Sequence, residues 1–204
     1  MLKSLVALLL LVSSVVSAQS LSSFKLNVMA GYASPLDRSG NKDGSSPGFV
    51  YSIEPQYEIT RHLDIGIRFE QAFIQRPEVL GNLIYFNTQA KSMMSGALIV
   101  NYNVGNIRAF RPYVGAGAAF YRADPSTQQV MGAGSTPLYY ALPVTNKWGA
   151  LVRAGIKVFQ FNVEAAFNLL DDTNVVNEFT NAKLIGKNEY FSVKAGYTFG
   201  GARQ

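Results

Sequence analysis

From Phe24 to Phe199 the chain repeats one pattern about eight times: roughly ten residues in which apolar side chains alternate with polar or small ones, then a turn or a loop. A period of two marks a β-strand, because successive side chains point to opposite faces of a sheet. A strand that crosses hydrocarbon at a tilt needs about 9–11 residues, which is the length that recurs here. The pattern therefore predicts an all-β chain. Its form is an eight-stranded antiparallel up-and-down transmembrane β-barrel with short periplasmic turns and long extracellular loops, lipid lying on the apolar side and a polar interior on the other.

The strands can be phased residue by residue. Leu26, Val28, Ala30 and Tyr32 alternate with Lys25, Asn27, Met29 and Gly31, up to Pro35. Phe49, Tyr51, Ile53, Tyr57 and Ile59 alternate with Ser52, Glu54, Gln56 and Glu58, and a turn at 60–62 leads to Ile65, Ile67 and Phe69 set against Asp64, Arg68 and Glu70. The fourth strand runs from about Met93 to Val104, which turns Ile99 inward. Val114, Ala116, Ala118 and Phe120 then oppose Arg111, Tyr113, Gly115 and Tyr121; Trp148, Val152 and Ile156 oppose Arg153 and Lys157; Val163 and Phe167 oppose Asn162, Glu164 and Asn168. The last strand sets Phe191, Val193, Tyr197 and Phe199 against Ser192, Lys194 and Thr198. Pro55 sits inside the second strand, where a residue without an N–H calls for a bulge or a locally missing bond.

Connection lengths are an independent signal. The turns at 60–62, 105–109 and 159–160 are short, whereas the linkers at 36–47, 75–91, 122–146 and 171–188 are long and rich in Gly, Pro, Asn, Asp and Ser. Such alternation is what outer-membrane barrels show. The N-terminus agrees: a basic start at Lys3, an apolar run from Leu5 to Val12 and small residues up to Ala18 predict a secretory signal peptide over residues 1–18, with the barrel domain filling 19–204. That run is too short to span a bilayer, and no later segment has the ~20 apolar residues of a transmembrane helix. The chain has no cysteine, so disulfides cannot stabilise it. A net charge of +5, scattered along the chain, does not form a nucleic-acid surface.

The stretches Phe110-Arg111-Pro112-Tyr113-Val114-Gly115-Ala116-Gly117 and Ser192-Val193-Lys194-Ala195-Gly196-Tyr197-Thr198-Phe199 resemble the fifth and last strands of the small eight-stranded outer-membrane β-barrel family, which includes the OmpA-type transmembrane domain. The resemblance extends over essentially the whole mature chain. It implies location in the outer membrane of a Gram-negative-type envelope, contact with membrane lipids and lipopolysaccharide, and insertion by the barrel assembly machinery. One departure is the tail after Phe199, since many members end on the aromatic residue itself. With so few residues after the last strand, no separate wall-binding domain is expected.

The inward positions collect charge. Glu54, Arg68, Glu70, Arg153, Glu164 and Lys194 lie toward mid-height or above, and Lys25, Glu58, Asp64, Arg111 and Lys157 lie nearer the turns. An eight-stranded interior is just wide enough for side chains to fill it. Charges there must be paired, so the first reading is an ion-paired plug and the second a gated polar pore lined by the same residues. The outward aromatics gather at both strand ends, as interfacial belts do.

Catalysis and metal binding find little support. The sole histidine, His62, falls in a periplasmic turn, which leaves a Ser-His-Asp site at the outer mouth without a base. Small barrels that modify lipid A resemble the chain in size but rely on a mouth-side histidine. One histidine and no cysteine make a poor transition-metal site. The acidic group Asp171-Asp172 with Asn174, Asn177 and Glu178 lacks calcium-loop spacing. No catalytic residue, cofactor or metal site is therefore expected. The linker from Arg122 to Asn146 is the most apolar, and Met131, Leu138, Tyr139 and Tyr140 are its candidates for a surface ligand, self-packing over the mouth being the alternative. The expected role is non-enzymatic: envelope structure or surface interaction. A narrow channel or transporter for small solutes comes second, and a lipid-modifying enzyme third.

Overall fold

The computed structural model describes residues 23–36, 47–74, 78–80, 86–88, 91–104, 110–131, 137–142, 144–171, 173–176, 183–186 and 188–201. The expected signal segment lies outside these residues. The strands are β1 (Phe24–Pro35), β2 (Gly48–Thr60), β3 (Leu63–Ile74), β4 (Glu78–Leu80), β5 (Phe86–Thr88), β6 (Lys91–Asn103), β7 (Phe110–Ala123), β8 (Ser126–Met131), β9 (Pro137–Leu142), β10 (Thr145–Val158), β11 (Phe161–Leu170), β12 (Thr173–Val176), β13 (Lys183–Gly186) and β14 (Tyr190–Gly200).

Eight of them close a barrel in the order β1-β14-β11-β10-β7-β6-β3-β2, every neighbouring pair antiparallel. Closure leaves no sheet edge, which is what a strand structure needs in a solvent that cannot hydrogen-bond. The alternation has the sense that lipid demands. Ile67, Leu98, Val114, Val152 and Val163 are exposed, whereas Glu54, Asp64, Arg68, Asn101, Glu164 and Lys194 are almost wholly buried. Ile99 faces inward and is fully buried.

Two turns are tight. Thr60 pairs with Leu63 across a register shift that begins at Glu58, and a two-residue connection, Phe159-Gln160, joins Val158 to Phe161. The turn at 105–109 lies outside the described residues. At Pro55 the resolution is a missing bond, not a bulge. The β2–β3 pairing runs from Val50↔Ala72 to Ile53↔Phe69, omits Glu54 and Pro55, and resumes at Gln56↔Gly66 in the same register. The other edge of Pro55 still pairs with Leu26.

The long linkers depart from plain loops. The fourth barrel strand starts at Lys91, and the 122–146 linker holds a hairpin, β8–β9, to which β5 adds a third strand. The 171–188 linker holds a second hairpin, β12–β13, joined by β4. Both β4 and β5 belong to the linker between β3 and β6, so this one connection is bonded to its neighbour and also to the loop on the opposite side of the barrel. These strands are short and carry no sustained apolar–polar alternation, and their stability comes from pairing between loops and not from local pattern.

Inside the barrel, an apolar layer lies mostly toward the loop end, with Ala97 and Ile99 reaching down beside the charged level. Ala33, Val50, Ala72, Ile74, Met93, Ala97, Ile99, Ala119, Tyr121, Ala123, Leu151, Leu170 and Tyr190 form one buried cluster. Below it the interior turns polar.

Candidate functional site

The mid-height interior is a closed set of ion pairs. Arg153, on β10, donates through Nη1 to both oxygens of Glu54 on β2, at 2.9 and 2.8 Å, and to Glu164 Oε2 on β11 at 2.9 Å, while its Nε donates to Asn101 Oδ1 at 2.8 Å. Arg68 Nη2 contacts Glu70, and its Nε and Nη1 stand 3.5 Å from Glu54 and 3.4 Å from Glu164. Lys194 Nζ lies 2.5 Å from Glu70 and 3.3 Å from Glu164, and 3.3 Å from Ser52 Oγ. Three cations and three carboxylates therefore meet with no net charge. Burial of an unpaired ion costs several kcal/mol, so pairing across the barrel is the condition for placing these groups here at all.

A second, lower cluster also balances. Lys25 Nζ lies 2.5 Å from Glu58 and 3.2 Å from Asp64, Lys157 Nζ reaches Asp64 at 3.2 Å, and Asn103 Nδ2 donates to Asp64 at 3.0 Å. Tyr113 joins the two levels. Its hydroxyl donates to Glu164 at 2.8 Å and lies 3.2 Å from Asn162 Oδ1, and its ring has Lys157 Nζ at 5.0 Å and the Arg153 guanidinium at 5.8 Å from the centroid, within cation–π reach. Gly155 makes room for that ring, since a Cβ there would stand 2.5 Å from Tyr113 Cζ. Arg111, near the turn end, is half-buried and has no ion pair among the described residues.

At the top, Tyr190 donates to Glu70 at 2.8 Å and Tyr121 to Asn168 at 2.9 Å, with their rings edge to face. These hydroxyls tie the apolar layer to Glu70 and to the Asn168 amide. Thus Glu54, Arg68, Glu70, Arg153, Glu164 and Lys194 come together in one network. Tyr190, Leu151 and Leu170, which complete the upper closure, are the residues that a search of inward positions for charge passes over. Strand parity alone would have found them, since Tyr190 is two residues before inward Ser192.

The loop candidates are placed only by backbone. Met131 pairs with Pro137, and Leu138, Tyr139 and Tyr140 pair with Val130, Gln129 and Gln128. Their side chains lie outside the described residues. His62 sits at the turn end, its Nδ1 3.3 Å from the Asn103 carbonyl oxygen and its ring stacked on Tyr102. Of the acidic loop group, Asp171 accepts a hydrogen bond at its carbonyl from Asn188 at 2.6 Å, and Asp172, Asn177 and Glu178 lie outside the described residues. No cluster of metal-ligating side chains occurs among the described residues.

A closed sheet with an apolar outside, a charged and filled inside and long connections at one end defines the class: a barrel of the outer-membrane type. The chain belongs to the outer membrane protein beta-barrel domain family, which it matches over residues 4–199, and its place is the outer membrane. Among solved structures it is similar to the outer membrane protein OprG from Pseudomonas aeruginosa, at 12% identity and a TM-score of 0.54, over 88% of this chain and 97% of that one. It is also similar to a major outer membrane protein from Thermus thermophilus, at 11% identity and a TM-score of 0.52, over 87% and 100%. Neisserial surface protein A aligns at 16% identity and a TM-score of 0.49, over 86% and 97%. At such identities the likeness to the Pseudomonas and Thermus proteins shows the fold alone. No curated protein matches the sequence.

Proposed function

We propose that this is a non-enzymatic outer-membrane protein whose lumen is a structural plug and whose work is done by the extracellular loops. The observation that carries this reading is the filled interior: an apolar layer at the loop end lies above two charge-balanced networks whose central members, Glu54, Arg68, Arg153 and Glu164, are buried to within 4%. Chemistry is then left to the outer surface, where the connection carrying β4 and β5 bonds to the neighbouring hairpin and to the one on the opposite side of the barrel. The sole histidine lies at the other end of the barrel, consistent with a non-enzymatic role. The reading includes export by cleavage after Ala18 into a Gram-negative-type envelope, folding by the barrel assembly machinery, and lipopolysaccharide as the outer-leaflet neighbour.

Planar-bilayer recording tests it. The wild type should be silent and Glu54→Ala or Arg68→Ala should raise conductance; a constitutive pore of nanosiemens size in the wild type would sink the plug. For the loops, replacing Tyr139 and Tyr140 with Ser should abolish adhesion to whole cells, and unchanged adhesion removes this hairpin from the proposal. A narrow conduit for small solutes is the second reading. It is favoured by polar atoms at the centre of the lumen that lack a hydrogen-bond partner, namely Arg68 Nε and Nη1, Arg153 Nη2, Glu164 Oε1 and Ser192 Oγ.

A further inference from the structure

One turn residue is out of keeping with its position. The connection Phe159-Gln160 has a left-handed backbone at its first residue, with Phe159 at φ 54°, the one positive-φ residue other than glycine among those described. A two-residue hairpin with positive φ at its first position favours glycine there, because a Cβ in this region crowds the following carbonyl. A bulky aromatic is a poor choice on backbone grounds. Nor can the turn relax easily, since Val158 pairs with Phe161 and the Gln160 carbonyl accepts from the Thr198 amide at 2.7 Å.

The side chain is equally out of keeping with water. Phe159 is 76% exposed, more than any other large hydrophobic residue described, and Phe161 beside it is 66% exposed. Phe161 is the end of a lipid-facing row: its ring meets Tyr197 edge to face at 5.5 Å, and Tyr197 meets Phe199 at 4.8 Å. Aromatic side chains gather where the hydrocarbon of a bilayer meets the headgroups. Phe159 stands two positions before Phe161, in the turn just beyond the strand that carries it.

We propose that Phe159 is an interfacial anchor, its ring lying in the headgroup and upper acyl region of the periplasmic leaflet. The partner is the lipid surface. Contact with it offsets the unfavourable backbone and fixes how deep this side of the barrel sits, next to Phe161, Tyr197 and Phe199.

The chain's single tryptophan, Trp148, lies near the opposite rim, so a one-probe version is made by Phe159→Trp in a Trp148→Phe background. After refolding into phosphatidylcholine vesicles, its emission should be blue-shifted, quenched strongly by lipids brominated near the headgroup and weakly by aqueous acrylamide. Emission of a water-exposed indole, with strong acrylamide quenching and none by brominated lipid, would overturn the proposal. A second variant keeps the test independent of the probe. If the ring stood in water, Phe159→Gly would only relieve strain and raise the urea midpoint in vesicles. The anchor predicts a lower midpoint, and an unchanged or raised one contradicts it.

Discussion

Arg153→Ala is the most demanding perturbation of the interior. The guanidinium makes contacts of 2.8–2.9 Å with Glu54 and Glu164 and a further 2.8 Å bond to Asn101. Its loss leaves Arg68 and Lys194 to face three carboxylates, the remaining ion-pair contacts of Glu54 and Glu164 being no shorter than 3.3 Å. Removing one partner of a buried pair costs roughly 3–5 kcal/mol, because the other charge stays behind without compensation. The same change at an exposed pair costs about 0–1 kcal/mol. The midpoint of urea unfolding from vesicles, read as the folded and unfolded bands on an unboiled gel, separates the two regimes. A loss of about two to four powers of ten in the folding equilibrium is expected. Arg153→Met combined with Glu54→Gln should recover a large part of it, since the stranded charge is gone. A loss below about 1 kcal/mol, with no recovery in the double variant, would mean that the network is solvated, and the dry plug would be refuted.

Three further outcomes follow from packing. Gly155→Ala should cost about 1–3 kcal/mol by pushing the Tyr113 ring off Glu164, measured by the same unfolding midpoint and relieved by Tyr113→Ala. Gly96 and Gly196 should behave oppositely: a Cβ at Gly96 meets nothing within 4 Å, whereas at Gly196 it would stand 2.1 Å from the Val28 carbonyl oxygen. Gly96→Ala should therefore be neutral or stabilising and Gly196→Ala strongly destabilising, as thermal gel-shift series will show. Pro55→Val restores the amide missing from the β2–β3 ladder and should add about 0.5–1.5 kcal/mol, with a new slowly exchanging amide at that residue.

The strand phases were legible because lipid and lumen impose opposite demands on successive residues, so a single misplaced strand would put charges such as Arg68 or Lys194 into hydrocarbon. The inside–outside assignment of Ile99 came from the same parity. Two things were less accessible. Which charges meet depends on stagger around the barrel: Glu54 and Arg153 are 99 residues apart, and no local pattern relates them. The strands inside the linkers, β8 and β9 above all, owe their form to partners in other loops, and Pro55 could be recognised as an irregularity without showing which neighbour it leaves unbonded.

A sealed interior can be probed with a single buried thiol. Ser52 is fully buried at mid-height beside Lys194, and the chain has no native cysteine, so Ser52→Cys places one thiol in the network at minimal change of volume. Exposed to a small charged methanethiosulfonate reagent from both sides of the vesicle, it should stay unmodified until the protein is unfolded. Rapid labelling of the folded barrel would contradict the account.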